Sequence, residues 1–248
     1  MEGTGFWLAA VAAAVLVGMG KGGIPVVGML GVPVLALSIS PVTAAGLLLP
    51  VYVVSDIFGL WAYRRDFDPR VLAILIPGMT AGVGVGWATA TVVPEAWVTV
   101  LVGLIGAAFA LNLILRPKMD LTPRRPEVGK GLFWGALTGF TSFVSHSGAP
   151  PYQVYTLPLN LTKTVFAGTS TIAFAYVNAI KLVPYYALGQ FSAQNLHVAV
   201  LLMPAAALAV LAGVRLVRLL PEALFFRLVT WALLLISAKL VWDGVAAI

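Results

Sequence analysis

Apolar stretches recur along the chain near residues 43–63, 71–92, 95–115, 164–187, 194–216 and 221–242, each closed by a short polar or basic loop. A helix of about 20 residues, rising ~1.5 Å per residue, crosses a hydrocarbon core of ~30 Å. Each stretch therefore predicts a transmembrane helix. Two further apolar regions, 5–38 and 130–162, do not read as single spans. The first is interrupted at Gly18-Met19-Gly20-Lys21-Gly22-Gly23-Ile24-Pro25 and the second at Phe143-Val144-Ser145-His146-Ser147-Gly148-Ala149-Pro150. The arms beside each break are roughly 14 residues long, only ~21 Å as helix, which is too short to cross. Short arms around a break predict a re-entrant hairpin with its tip near the middle of the bilayer; the alternative is an ordinary long, kinked helix, since Gly and Pro are common in membrane helices for packing alone.

The two breaks correspond to one another. At an offset of 125, Gly23 aligns with Gly148, Pro25 with Pro150 and Pro33 with Pro158. At an offset of 123, Ile57 meets Ile180 and Tyr63 meets Tyr186. Hydrophobic segments interrupted by Gly and Pro at matching places in two halves point to the binding site of a secondary transporter.

Loop charges set the direction of each span. Eleven of the fifteen Lys and Arg residues lie in three short stretches: Arg64, Arg65 and Arg70; Arg116, Lys118, Arg124, Arg125 and Lys130; and Arg215, Arg218 and Arg227. The positive-inside rule makes these loops cytoplasmic. The linkers around Val92–Trp97 and Leu188–Asn195 hold no Lys or Arg and face outward. The charges agree only if 130–162 dips into the membrane and returns. Each half is then a hairpin plus three crossings, and three is odd, so the halves run in opposite directions. The expected fold is an all-α polytopic membrane protein of two inverted repeats, about eight hydrophobic segments in all, with opposed hairpin tips near the midplane. The first repeat covers 1–120, a cytoplasmic linker 121–129 and the second repeat 130–248, with both termini outside and the chain in a bacterial-type plasma membrane.

Composition agrees. The chain is 60% hydrophobic and 10% charged over 248 residues, where a soluble domain carries about 25% charged residues. The net charge of +6 reflects membrane orientation and does not imply a nucleic-acid partner. Met1 to Phe6 carries no positive charge, so the first apolar run does not read as a cleavable leader. There is no cysteine, and the two histidines, His146 and His197, are far apart in the sequence. Cys-based chemistry and a protein-built metal site are not expected, and no cofactor motif is visible.

The breaks are where chemistry is expected. The second arm of each hairpin starts with proline at its first turn, and its N–H groups and positive dipole end point at the tip. Gly20, Gly22, Gly23 and Gly148 would let a ligand approach the backbone, and a helix N-terminus favours an anion. Lys21 adds a full positive charge at membrane depth, where ionisable groups are costly and functional by default. It either contacts the anion or pairs with Asp56 as structural glue. At the equivalent position His146, flanked by Ser145 and Ser147, offers neutral donors, unless it is simply a satisfied core histidine. Thr169 and Asn178 are further candidate donors to anion oxygens or bridges between helices. Asp56 and Lys181 form either an ion pair or a proton relay, with Asp56 the natural proton carrier.

These residues bring a family into view. The glycine-rich break with its prolines, Ala44-Ala45 and Tyr63-Arg64-Arg65 resemble the first repeat of the sulfite exporter TauE/SafE family. Ala167-Gly168-Thr169-Ser170, Gly213-Val214-Arg215-Leu216 and the closing Trp242-Asp243-Gly244 resemble the second. The second tip, Ser145-His146-Ser147-Gly148-Ala149-Pro150-Pro151, departs from the family's Gly-rich pattern and looks like a subgroup that also carries Asn178-Ala179-Ile180-Lys181. The resemblance implies export of sulfite or an organosulfonate.

The expected function is secondary transport of a small oxyanion, with protons a candidate coupling ion. A passive anion channel on the same hairpins is the alternative. An enzyme is not expected: there is no close Asp pair and no Glu–His metal pattern, and only Ser145 or Ser147 with His146 resembles a catalytic set.

Overall fold

The computed structural model describes residues 3–115 and 125–248. Arg116, Lys118, Arg124 and the first part of the expected linker lie outside the described residues. The described chain is helical: α1 (Thr4–Lys21), α2 (Pro25–Gly28), α3 (Gly31–Leu35), α4 (Pro41–Tyr63), α5 (Pro69–Ala88), α6 (Glu95–Leu115), α7 (Val128–Ser145), α8 (Ala149–Thr156), α9 (Lys163–Ala187), α10 (Ala193–Leu219) and α11 (Glu222–Ala246). Seven of these, α1, α4, α5, α6, α9, α10 and α11, are long and apolar enough to cross a membrane.

Helix starts follow local chemistry. Ser40, Asp68 and Ser192 each cap a helix by accepting from backbone N–H groups of the first turn. Pro41 and Pro69 occupy the first helical position after their caps, where a missing N–H costs nothing. Large apolar side chains face outward along the spans, among them Leu8, Ile57, Trp61, Leu104, Leu208 and Leu235. That is the surface of a protein solvated by lipid.

Both interrupted regions fold as hairpins, but their arms are unequal. α1 and α7 are 18 residues each, while the returning arms are short: α2 and α3 in the first, and α8 with a 3₁₀ turn at Leu157–Leu159 in the second. The difference from the even arms expected arises because α1 runs on through Gly18-Met19-Gly20-Lys21 and breaks only at Gly22. The glycines there serve packing. A Cβ on Gly20 would meet the Cα of Gly28 at 2.6 Å, and one on Gly31 would reach the carbonyl of Ala13 at 3.4 Å. These contacts fix an antiparallel return. In the second hairpin the Tyr155 hydroxyl donates to the Glu127 carbonyl at 3.2 Å, bringing the short arm back to the start of α7.

The chain packs into two compact units. One comprises Met1–Phe67 with Ala167–Leu220, and the other Asp68–Phe166 with Pro221–Ile248. These cut across the sequence halves, since each unit takes helices from both. In unit 1, α1 packs most extensively on α10. A Cβ on Gly22 would meet the Cα of Gly213 at 2.6 Å, so the backbones touch there. In unit 2, α7 packs on α5 along two matched stripes, Gly78-Gly82-Gly86 and Gly131-Gly135-Gly139. A Cβ on Gly135 would lie 2.6 Å from the Leu75 carbonyl. Small residues every fourth position allow such close approach where lipid supplies no hydrophobic drive between helices. α6 and α11 complete unit 2, with a Cβ on Gly103 falling 2.7 Å from the Ser237 carbonyl.

Candidate functional site

Unit 1 gathers its buried charged side chains around the end of α1. Lys21, the last residue of that helix, is buried, and its Nζ lies 2.6 Å from Asp56 Oδ1. Asn178 on α9 donates from Nδ2 to the other oxygen, Oδ2, at 2.8 Å. Both oxygens of the carboxylate are therefore engaged, one by a cation and one by a neutral amide. Lys181, one turn beyond Asn178, is fully buried and acts electrostatically on both Lys21 and Asp56. Each lysine also sits by a tyrosine ring, Lys21 at 5.3 Å from the Tyr52 centroid and Lys181 at 5.9 Å from that of Tyr185. Cation–π attraction strengthens when both partners are desolvated.

The backbone around Lys21 is held as firmly as its side chain. The Thr171 hydroxyl donates to the Lys21 carbonyl at 3.2 Å, and the Tyr63 hydroxyl to the Gly22 carbonyl at 2.7 Å. These carbonyls lie at the C-terminal end of α1, where no intrahelical donor remains for them. Gly23 turns the chain with φ 111°, and a side chain there would meet Ala167 and the Tyr63 hydroxyl at 2.6 Å each. Gly20, Gly22 and Gly23 thus face protein: Gly28, Gly213, and the Ala167 and Tyr63 side chains respectively. One turn after Asp56, a Cβ on Gly59 would meet the Lys21 carbonyl at 2.9 Å. α4 and the end of α1 are that close.

Helical geometry sorts the candidates on α9. Thr171, Asn178, Lys181 and Tyr185 lie seven, three and four residues apart and share one face. Thr169 is buried, but it precedes Asn178 by about two and a half turns and so occupies the opposite face. Thr171, Tyr52, Tyr63 and Tyr185 are the residues of this cluster that the sequence reading did not pick out. The seven-residue spacing from Thr171 to Asn178 was the available signal.

The second tip, in unit 2, is built from neutral groups. α7 ends at Ser145, and His146 caps it in the left-handed conformation at φ 53°, which few non-glycine residues adopt. In the first tip the positive φ belongs to Gly23 instead, so the aligned breaks turn differently. The Ser147 N–H donates to the Thr141 carbonyl at 3.2 Å, and its hydroxyl to the Ser145 carbonyl at 3.0 Å. The Ser145 hydroxyl bonds back to Thr141 at 3.3 Å. His146 and Ser147 are buried, and Gly148 precedes the first residue of α8.

Among the described residues, the buried charged side chains are Lys21, Asp56 and Lys181, all in unit 1. With every group ionised, this cluster holds two cations and one anion. The buried polar side chains of unit 2 are hydroxyls, an imidazole and an amide.

The profile of the family described as sulfite exporter TauE/SafE matches residues 6–240 of the chain. No curated protein and no solved structure matches it.

Proposed function

For a chain that belongs to the sulfite exporter TauE/SafE family, we propose that it carries a small oxyanion, sulfite or an organosulfonate, with the two buried lysines of unit 1 as the countercharge. Membership makes it an integral membrane transporter of the sulfite-exporter type. The finer reading rests on one observation, two buried lysines around a single buried carboxylate in the Lys21–Asp56–Asn178–Lys181 cluster. Burying an unbalanced charge in a membrane protein is costly and is retained where it serves a pathway. An arriving anion supplies the balancing charge.

In this mechanism the anion competes with Asp56 for Lys21. Asn178 keeps hold of the carboxylate while Lys21 turns to the substrate, and Lys181 keeps the surroundings positive. A proton taken up by Asp56 at that moment would free Lys21 entirely, coupling anion movement to protons. Ser145, His146, Ser147 and Gly148 form the neutral tip of unit 2, and Thr169 lies buried on the face of α9 opposite Asn178.

The deciding experiment is sulfite flux in proteoliposomes of purified protein. A carrier gives saturable flux that unlabelled sulfite on the far side accelerates. Flux without such trans-stimulation would establish the channel alternative. Lys21→Met should abolish either, and flux unaffected by that change would sink the countercharge reading. An imposed pH gradient should drive transport by the native protein and not by Asp56→Asn.

A further inference from the structure

Gln153 is a fully buried amide on α8, and neither its Nε2 nor its Oε1 has a hydrogen-bond partner among the described residues. Gln153 shares a face of α8 with Pro150, one turn earlier. Through Pro150 that face meets α6. A Cβ on Gly106 would lie 3.0 Å from the Pro150 Cβ and in overlap with the Ser237 hydroxyl. Ser237 on α11 is likewise fully buried with an unpartnered hydroxyl. Several threonine hydroxyls of unit 2 are satisfied within their own helices. Thr138 donates to Trp134 at 2.7 Å, Thr141 to Leu137 at 2.8 Å and Thr230 to Phe226 at 2.9 Å. Ser237 could bond back in the same way but does not, and Gln153 is too long to need its own helix. Two unpartnered polar side chains of unit 2 therefore lie on helices that meet around Gly106.

Buried polar atoms without partners are rare, and each one weakens the fold unless something else satisfies it. The chemistry of these two is informative. The amide Nε2 and the serine hydroxyl donate, while Oε1 only accepts. A bare oxyanion offers acceptors alone and would leave Oε1 unsatisfied. We propose that Gln153 and Ser237 form a recognition site for an anion that bears a hydrogen-bond donor beside its charge, such as a hydroxylated sulfonate. Nε2 and the Ser237 hydroxyl donate to the acid oxygens, and Oε1 accepts from the ligand's hydroxyl. This rests on the transport reading and adds to it a preference among anions, set by unit 2.

The test compares ethanesulfonate with 2-hydroxyethanesulfonate, which differ by one hydroxyl, in calorimetric titrations of the purified full-length protein. The native protein should bind the hydroxylated anion about tenfold more tightly, the effect of one well-matched hydrogen bond. In Gln153→Met the two affinities should fall within about twofold of one another, through weaker binding of the hydroxylated ligand. The unliganded variant should melt no lower than the native protein, because an unpartnered amide has been removed. Ser237→Ala provides an independent arm and should weaken both anions. Equal affinities in the native protein, or a preference that survives Gln153→Met, would overturn the inference while leaving anion transport intact. If neither sulfonate nor sulfite binds at all, the transport reading falls and takes the inference with it.

Discussion

Asn178 and Asp56 meet at 2.8 Å, on the carboxylate oxygen that Lys21 does not occupy. The carboxylate is thereby fixed from two sides, by a charge it can exchange and an amide it keeps. This division of labour makes the pair testable one partner at a time.

Breaking the ion pair from one side should be far worse than removing it whole. Lys21→Met or Asp56→Leu alone leaves a buried charge without its partner and should destabilise by about 3–5 kcal/mol. Lys21→Met combined with Asp56→Leu should recover most of that loss and still transport nothing. Thermal unfolding in detergent, read beside sulfite flux, separates the two effects.

Asn178→Asp places a second carboxylate against Asp56 and balances the two lysines. Sulfite binding should fall by at least about tenfold, since each buried charge-assisted bond contributes ~1.5–3 kcal/mol. Asn178→Ala, which removes the bond to Asp56 without adding charge, should reduce binding less. Titration calorimetry of the two variants distinguishes a charge effect from an orientation effect.

The glycine stripes of unit 2 provide a stability prediction with an internal control. Gly82 faces the Ala136 carbonyl with no room for a methyl group, whereas Gly84 has nothing within 4 Å. Gly82→Ala should destabilise by about 1–3 kcal/mol through overpacking. Gly84→Ala, on the open side of the same helix, should be neutral or stabilising by up to ~1 kcal/mol from helix propensity. Melting temperatures of the two variants test the packing directly.

Orientation can be read by labelling, because the chain contains no cysteine of its own. The loop charges place Arg65 on the inner side and the C-terminus outside as an expectation; on that expectation Ala247→Cys should react with an impermeant maleimide in intact cells, and Arg65→Cys only after permeabilisation. Reaction of Arg65→Cys in intact cells would reverse the assigned direction.

The membrane spans were legible because hydrocarbon thickness dictates their length. α6, expected at 95–115, runs from Glu95 to Leu115. The hairpins were legible as interruptions, but the point of breakage was not. A glycine that ends a helix and one that lets a neighbour approach look alike in isolation, so Gly18 and Gly20 read as part of the break although α1 continues past them. Counting every fourth residue would have exposed the stripes at Gly78-Gly82-Gly86 and Gly131-Gly135-Gly139. Within the site, Lys21, Asp56 and Lys181 stood out by charge in apolar surroundings. The attachment of Asn178 to Asp56 did not, because the contact spans 122 residues and no local pattern encodes it. Gln153 was invisible in the sequence, since only burial reveals that a glutamine has no partner.

The exchange of helices between the sequence halves also bears on how the chain is made. Lys21 and Asp56 leave the ribosome early and can find one another while still in the translocation machinery. Asn178 follows Asp56 by 122 residues, and α10, on which α1 packs, comes later still. Until then the ion pair lacks the Asn178 amide, and α1 lacks the wall that α10 supplies. Any stall in synthesis between α4 and α9 would strand a charged, half-built intermediate, a natural substrate for membrane quality control.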